Sequence, residues 1–182
     1  MNLTNHFLLA LPTLHQDYFA ATLTYICEHS DDGALGLVIN QPSDISVFEL
    51  LTHLGLQPNQ SLIEQPVLDG GPVALDRGFM LYADEQAFES SLTVTDGIHL
   101  TSSSESLRAV ANNEGPEHFL ISRGYAGWSG GQLESEIARN VWLTVEANQS
   151  ILFAQPYEQR LDAAADLLGI ELSLVAPDAG YS

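Results

Sequence analysis

The fold is decided by one glycine-rich stretch, Gly124-Tyr125-Ala126-Gly127-Trp128-Ser129-Gly130-Gly131-Gln132-Leu133-Glu134. An apolar, strand-like run precedes it, a helical pattern follows it, and Trp142 lies a little further along the chain. Glycine permits backbone conformations that a Cβ forbids and lets other groups approach closely. The stretch therefore predicts a tight turn that presents side chains at a helix N-terminus.

Two interpretations of this stretch remain open. In the first, Ser129 and Gln132 form a capping box, while Trp128 and Leu133 pack around it as a hydrophobic staple. In the second, free amides at the helix start bind an anion with help from the helix dipole. Glu134 in the first turn already satisfies that dipole, so a second anion would compete with it.

A second glycine cluster, Asp69-Gly70-Gly71-Pro72-Val73, predicts a sharp turn at a strand end. Successive amides in such a turn can form an anion-binding nest. Arg77, four residues further on, either clamps a carboxylate or phosphate or pairs with an acid such as Asp76 or Glu134. We expect a ligand-binding rim built from residues of both glycine clusters: Gly70, Gly71, Arg77, Tyr125, Trp128, Gln132 and Glu134.

Apolar patterning predicts strands and helices in irregular alternation. The predicted strands cover residues 5–11, 22–27, 34–39, 67–69, 78–82, 118–122, 142–146 and 151–153, with a weaker one at 170–175. Helix starts are predicted at Ser46 with Glu49, at Ser102 with Glu105, at Ser129 with Gln132, and at Pro156. Gly55 and Gly169 suit the ends of the first and last of these helices. This order predicts a single compact α/β domain over residues 1–182, α+β-like, with a mixed β-sheet flanked by helices and not a Rossmann fold.

The charge of the chain is unusual. Five arginines, no lysine and 24 acidic residues give a formal net charge of −19. Such a surface repels phosphate backbones, which argues against direct nucleic-acid binding. Divalent cations or basic protein partners match it better, although the acidity also serves solubility.

The compartment is predicted from the cysteine content and the apolar runs. Cys27 is the only cysteine, which excludes an intrachain disulfide and fits a reducing compartment. The N-terminus has no basic region before its short apolar run, so we expect a buried strand there and no signal peptide. No apolar run approaches the ~18 residues of a membrane span. We therefore expect a cytoplasmic protein.

Few residues have the spacing that a known chemistry requires. Cys27-Glu28-His29 is compatible with a buried structural cysteine, a reactive thiol or a metal ligand. The other histidines are scattered without metal-site spacing. Nucleotide-binding glycine patterns and a nucleophile elbow are absent from the sequence. We expect no metal and no cofactor, and the sequence assigns no catalytic residue.

Motifs along nearly the whole chain are similar to those of the YqgE/AlgH family of bacterial proteins. Besides the two glycine clusters, the matching motifs are His6-Phe7-Leu8-Leu9-Ala10-Leu11-Pro12, Cys27-Glu28-His29, Gly33-Ala34-Leu35-Gly36-Leu37-Val38-Ile39-Asn40-Gln41-Pro42, Arg77-Gly78-Phe79 and Asn140-Val141-Trp142. The tail departs from the family, whose members often close with Gly-His where this chain has Gly180-Tyr181.

The resemblance implies a cytosolic mixed α/β domain without an established enzyme activity. Some family members carry the label of transcriptional regulator. We expect a binding or regulatory protein that acts through an unidentified small molecule or protein partner. Two alternatives remain: an enzyme with an acidic, divalent-metal-dependent site near Asp69, Glu28 and Glu134, or a transcriptional regulator, for which the charge disfavours direct DNA contact.

Overall fold

The computed structural model describes residues 1–10 and 20–171. Contacts divide the chain into two compact units. One, here the terminal unit, comprises Met1–Gln41 and Ala126–Ser182; the other, the central unit, is Pro42–Tyr125. The single domain over residues 1–182 stays a prediction.

In the described residues the strands and helices follow in this order along the chain. The strands are β1 (His6–Ala10), β2 (Leu23–Ser30), β3 (Gly33–Val38), β4 (Pro42–Ser46), β5 (Pro66–Asp69), β6 (Val73–Ala83), β7 (Leu92–Thr95), β8 (Ile98–Thr101), β9 (His118–Ser129) and β10 (Trp142–Glu146). The α-helices are α1 (Val47–His53), α2 (Ser104–Ala111), α3 (Gln132–Ala138) and α4 (Arg160–Leu167). Short 3₁₀ turns occupy Gln60–Glu64 and Tyr157–Gln159, and a π-helical turn occupies Ser150–Ala154. None of the described helices is long and apolar enough to cross a membrane.

The terminal unit is built on an antiparallel sheet. Its strands follow the order β10, β1, β2, β3 and the last part of β9, and every neighbouring pair is antiparallel. Side chains from the sheet, from α3 and from the residues before β1 form one apolar cluster: Leu3, Leu8, Ala10, Ile26, Ala126, Trp128, Leu133 and Trp142. The start of α3 is therefore fixed by core packing.

The central unit combines a sheet with helices. β9, β6, β8 and β7 pair antiparallel in that order, and β5 pairs parallel with β9 and antiparallel with β4. Its core joins α1 and α2 to the sheet through Val47, Leu51, Leu62, Val67, Met80, Tyr82, Val110, Ala111 and Ile121. The predicted mixed sheet flanked by helices is confirmed, and the largely antiparallel pairing is not that of a Rossmann fold.

The predicted helix starts agree with the structure at α1 and differ from it at α2 and α3. Ser46 caps α1 by accepting a hydrogen bond from the Glu49 amide, as its spacing predicted. At α2 the prediction was wrong by one residue, because Ser103 and not Ser102 accepts from the Ser106 amide. At α3 the predicted cap Ser129 was wrong, because the residue before the helix is Gly131, whose φ of 80° provides the turn without a side-chain cap.

Several strand predictions were also wrong. Residues 151–153 lie in the π-helical turn, since a short apolar run does not distinguish a strand from a buried helical segment. β4, β7 and β8 were missed, although the turn between the last two contains Gly97 with φ of 81°. The tight turn predicted for the stretch 124–134 lies at Gly130 and Gly131, directly before α3, whereas residues 124–129 are the second half of β9. The predicted strand at 170–175 falls largely outside the described residues, as does Leu11 of the first strand.

Candidate functional site

The seven residues of the predicted rim divide between the two units. Gly70, Gly71, Arg77 and Tyr125 belong to the central unit. Trp128, Gln132 and Glu134 belong to the terminal unit. That all seven form one ligand-binding rim stays a prediction, and each group has its own surroundings.

In the terminal unit, Trp128 belongs to the core. Its side chain is buried in the apolar cluster together with Leu133, as the staple interpretation predicted. Its indole N–H donates to Glu136 Oε1 at 3.1 Å. Gln132 Oε1 accepts from the amide of Ser129 at 3.0 Å, and its Nε2 donates to Glu136 Oε2 at 2.9 Å. Internal hydrogen bonds thus engage both Trp128 and Gln132.

Glu134 is engaged by a buried histidine. His29 Nε2 lies 3.2 Å from Glu134 Oε1, and the His29 side chain is 1% exposed. The other ring nitrogen, Nδ1, accepts a hydrogen bond from the Leu3 amide at 2.9 Å. A backbone hydrogen bond, then the bond from His29, lowers the pKa of Glu134. Glu134 is therefore a carboxylate that positions His29.

Cys27 precedes this histidine but has a different environment. Its side chain is buried and its Sγ lies 3.8 Å from the carbonyl oxygen of Tyr25. Burial raises the pKa of the Cys27 thiol, which suppresses the thiolate that nucleophilic chemistry needs. Among residues 1–10 and 20–171, no three His, Cys, Asp or Glu side chains are grouped so as to hold a metal ion.

In the central unit, the two glycine clusters pack backbone against backbone. The Gly70 amide donates to the carbonyl oxygen of Arg123 at 2.9 Å. A Cβ on Gly70 would lie 2.6 Å from the carbonyl oxygen of Gly124, and a Cβ on Gly124 would overlap that of Gly71. Gly124 has a φ of 73°, which residues with a Cβ rarely adopt. Close backbone approach therefore requires the glycines at 70 and 124.

An ion pair closes the base of this turn. Arg123 on β9 donates through Nε to Asp69 Oδ1 at 2.6 Å, and Asp44 Oδ1 lies 3.8 Å from Arg123 Nη2. Asp69 ends β5, which runs parallel to β9 at this point. The ion pair fixes the end of β5 and so the start of the Gly70-Gly71 turn.

The first part of β6 bulges out of the sheet. In its register with β9, Val73 lies opposite Tyr125 and Gly78 lies opposite Arg123, so residues 74–77 have no partner on that strand. Pairing with β8 begins only at Met80. Ala74 has a φ of 52°, and the apolar side chains of Val73 and Leu75 are 40% and 51% exposed. We call residues 73–77 the β6 bulge.

Arg77 is exposed at the end of the β6 bulge. Its guanidinium donates to Ser102 Oγ at 3.1 Å and lies 5.5 Å from the ring centre of Phe79. Phe79 in turn meets Tyr125 edge to face at 5.7 Å. The predicted pairing of Arg77 with Asp76 is absent, and within the described residues this arginine forms no ion pair. Arg77 and Tyr125 therefore both lie against the ring of Phe79.

Sequence reasoning missed the exposed apolar residues of the β6 bulge. Strand patterns assign Val73 and Leu75 to a buried face, and only the preceding Gly-Gly-Pro turn indicates an irregular strand start.

A pocket elsewhere in the central unit, lined in part by Leu62, Val110 and Phe119, has a volume of about 50 Å³. That is far below the ~300–1,000 Å³ of small-molecule sites.

Comparison with known proteins assigns the family. A family model described as AlgH-like matches residues 7–173. The chain belongs to the AlgH-like family.

Relatives in this family are similar along their full length. The chain is 48% identical to a UPF0301 protein of Thioalkalivibrio sulfidiphilus over 181 residues, which covers 100% of this chain and 97% of the relative. It is 43% identical to a UPF0301 protein of Vibrio atlanticus over 187 residues, with both chains covered completely.

Solved structures agree with the fold. The solution structure of the AlgH protein from Pseudomonas aeruginosa matches with a TM-score of 0.82 at 43% identity, over 100% of this chain and 97% of that one. A crystal structure of a Corynebacterium diphtheriae protein matches with a TM-score of 0.71 at 20% identity, covering 95% of this chain and 91% of that one. The second similarity concerns the fold alone.

Proposed function

We propose that this AlgH-like protein is a cytoplasmic binding protein with a regulatory role, and that it docks a protein partner on the β6 bulge. The observation that carries the proposal is the exposure of Val73 and Leu75 beside Arg77 on a bulge whose residues 74–77 pair with neither neighbouring strand. Arginine is enriched among the residues that dominate binding energy at interfaces, and the exposed apolar side chains beside it supply area that a partner can bury.

Burial of Val73 and Leu75 against a partner would supply binding free energy. Fully burying a valine or leucine side chain contributes roughly 1.5–3 kcal/mol, and both side chains retain a large share of that area in the free protein. Bulges and left-handed residues other than glycine, here Ala74, recur at functional sites. Because folding leaves these side chains exposed, burying them against a partner would contribute to the free energy of binding.

The surroundings of the bulge support it as a rigid element. Leu75 Cδ2 packs against Gly124, and the carbonyl oxygen of Val73 faces the same glycine. The Gly70-Gly71 turn that precedes the bulge is held by the Asp69–Arg123 ion pair. A surface already fixed in this way loses less conformational entropy on binding.

The partner we propose presents an apolar depression with a carboxylate at its edge. Leu75 would occupy the depression, and Arg77 would pair with the carboxylate in the bidentate geometry that guanidinium groups favour. A net charge of −19 disfavours polyphosphate partners such as DNA, so regulation would act through a protein contact. A small anionic molecule at Arg77 is the alternative ligand.

The alternative of a metal-dependent enzyme lacks a supporting observation. Asp69, a carboxylate expected to contribute, is engaged by Arg123. Glu134 is likewise engaged by His29. A binding role uses the exposed residues of the central unit, whereas an enzyme would need a cleft that collects free carboxylates.

Site-specific photo-crosslinking tests the proposal. The full chain carries a benzophenone amino acid at position 75, or at position 54 as a control, because Leu75 and Leu54 are similarly exposed at 51% and 54%. In cells of a bacterium that encodes this protein, we expect a discrete adduct from position 75 only. The captured protein, purified, should bind the unmodified chain at least tenfold more weakly when Leu75→Asp is present, and equally well with Leu54→Asp.

Two results would count against this function. Adducts of equal pattern at both positions would indicate nonspecific contact, and binding that is insensitive to Leu75→Asp would move the interface elsewhere. If neither position yields an adduct, a thermal-shift screen of anionic metabolites decides the alternative. A hit abolished by Arg77→Gln would replace the protein partner with a small molecule.

A further inference from the structure

His29 has a fixed tautomer in the terminal unit. The Leu3 amide can only donate, so the ring nitrogen that it contacts, Nδ1 at 2.9 Å, must accept and carries no proton. The proton of the neutral ring therefore sits on Nε2 and is donated to Glu134 Oε1 at 3.2 Å. His29 is neutral in this arrangement, and both of its ring nitrogens are engaged.

The segment held by His29 is the N-terminal strap, residues 1–4. Leu3 is 5% exposed and belongs to the apolar cluster that contains Ile26, Leu133 and Trp128. The strap joins the sheet at Asn5, whose amide donates to the carbonyl oxygen of Ile26 and whose side chain accepts from the Tyr25 hydroxyl. Beyond Asn5 the chain is anchored independently of His29.

We infer that His29 is a proton-dependent latch for the N-terminal strap, and that protonation of its Nδ1 releases the strap and uncovers the apolar cluster beneath Leu3. A second proton turns Nδ1 from an acceptor into a donor that faces the donor of Leu3. The imidazolium stays with the carboxylate of Glu134, because that pairing becomes charge-assisted. The contact between Leu3 and His29 therefore breaks by movement of the strap, while the His29 ring stays in place.

The charged groups around the latch favour this outcome. Glu134 on α3 faces Nε2, and the Met1 ammonium group of the strap also lowers the pKa of Glu134. β3 places uncharged Ala34 opposite His29, while Glu28 on the same strand as His29 is exposed. His6 is the other titratable group beside the strap, and its Nδ1 lies 3.0 Å from the carbonyl oxygen of Thr4. There Nδ1 already donates, so protonating His6 at Nε2 leaves its bond intact.

The closed strap binds one proton fewer than the open strap. Closure is therefore favoured at higher pH and lost on acidification. The contacts of the latch all lie within the terminal unit, so the latch and the partner proposed for the β6 bulge are tested separately.

Nuclear magnetic resonance on the isotope-labelled full chain tests the latch. As pH is lowered, we expect the Leu3 amide to lose its protection against hydrogen exchange together with the second protonation of the His29 ring. Tryptophan emission should shift to the red in the same pH range, because both tryptophans belong to the cluster under the strap. Protected amides elsewhere in β1 and β2 report that the fold remains intact.

Matched variants separate the two ring nitrogens. His29→Asn keeps an acceptor near the position of Nδ1 and cannot be protonated, so the Leu3 amide should stay protected at every pH. His29→Gln reaches toward Glu134 and lacks that acceptor, so protection should be lost at every pH. His6→Asn, the control for background titration, should keep the transition.

Three results would overturn the latch. A Leu3 amide that stays protected while the His29 ring is doubly protonated would separate the two events. Strap opening that persists in His29→Asn would assign it to another group. A His29 ring that remains neutral until the whole chain unfolds would show that no latch operates in the native protein.

Discussion

Trp128 and Trp142 donate their indole N–H groups to the same carboxylate oxygen, Oε1 of Glu136, at 3.1 and 2.9 Å. Their rings meet edge to face with centroids 6.1 Å apart. One tryptophan is on β9, the other begins β10, and α3 between them supplies the acceptor. A single partly exposed carboxylate thus ties the helix to both strands.

Replacing Glu136 by alanine should destabilise the protein by about 2–6 kcal/mol, because two indole donors lose a shared acceptor and each buried donor costs roughly 1–3 kcal/mol. Glu136→Gln keeps an acceptor oxygen and should lose about half as much. Urea denaturation monitored by tryptophan emission measures both values. Ser135→Ala, at an exposed neighbouring position, should stay within ~0.5 kcal/mol of the parent. Equal stability of the alanine and glutamine variants would contradict the role of the acceptor.

Gly124→Ala and Gly97→Ala form a second matched pair. Both glycines have positive φ, 73° and 81°, but only at Gly124 would a Cβ overlap another backbone, whereas nothing lies within 4 Å of a Cβ on Gly97. Alanine at position 97 should cost about 1 kcal/mol, the penalty of the left-handed conformation. At position 124 the clash adds to it, for a total of about 3 kcal/mol or more. Melting temperatures compare the two, and similar losses would refute the close approach.

What the sequence predicts well is local. Ser46 caps α1, and Trp128 packs with Leu133, because caps and staples depend on residues only a few positions apart. The mixed sheet followed from the order of apolar runs. These features include the start of α1 and the fold class, whereas the caps of α2 and α3 were predicted one or two residues too early.

What the sequence could not predict depends on contacts between distant residues. Gly124 looks like a turn residue, yet it lies within β9 because the backbone at Gly71 packs against it. The exposure of Leu75 follows from an interrupted register, which no local pattern encodes. The tautomer of His29 depends on Leu3, 26 residues away. The candidate site therefore required the structure, whereas the family motifs only indicated where to look.

Arg160 should prove important for stability because its guanidinium donates to two backbone carbonyl oxygens, those of Ile39 and Gln155. It is 6% exposed, and burial lowers its pKa to about 10. Arg160→Met keeps the apolar stem but leaves both carbonyls without this donor, so we expect a loss of about 2–4 kcal/mol. Arg139→Met, at an exposed position, should change stability by less than ~0.5 kcal/mol. Comparable losses in the two variants would mean that the buried guanidinium is dispensable.

Cys27 should make stability fall with rising pH in the alkaline range. Burial raises the pKa of its thiol in the folded protein, while the unfolded thiol titrates near its ordinary value of ~8.5. Above that pH the unfolded state releases a proton that the folded state retains, so alkaline pH favours unfolding with a slope of up to about 1.4 kcal/mol per pH unit. Urea denaturation between pH 8 and 10 should reveal this slope in the parent chain and not in Cys27→Ala. Tyr25, whose pKa burial also raises, contributes only above its ordinary value of ~10.

A thiol reagent should likewise modify Cys27 only after denaturation. Rapid modification of the native chain at neutral pH would contradict the buried, protonated thiol.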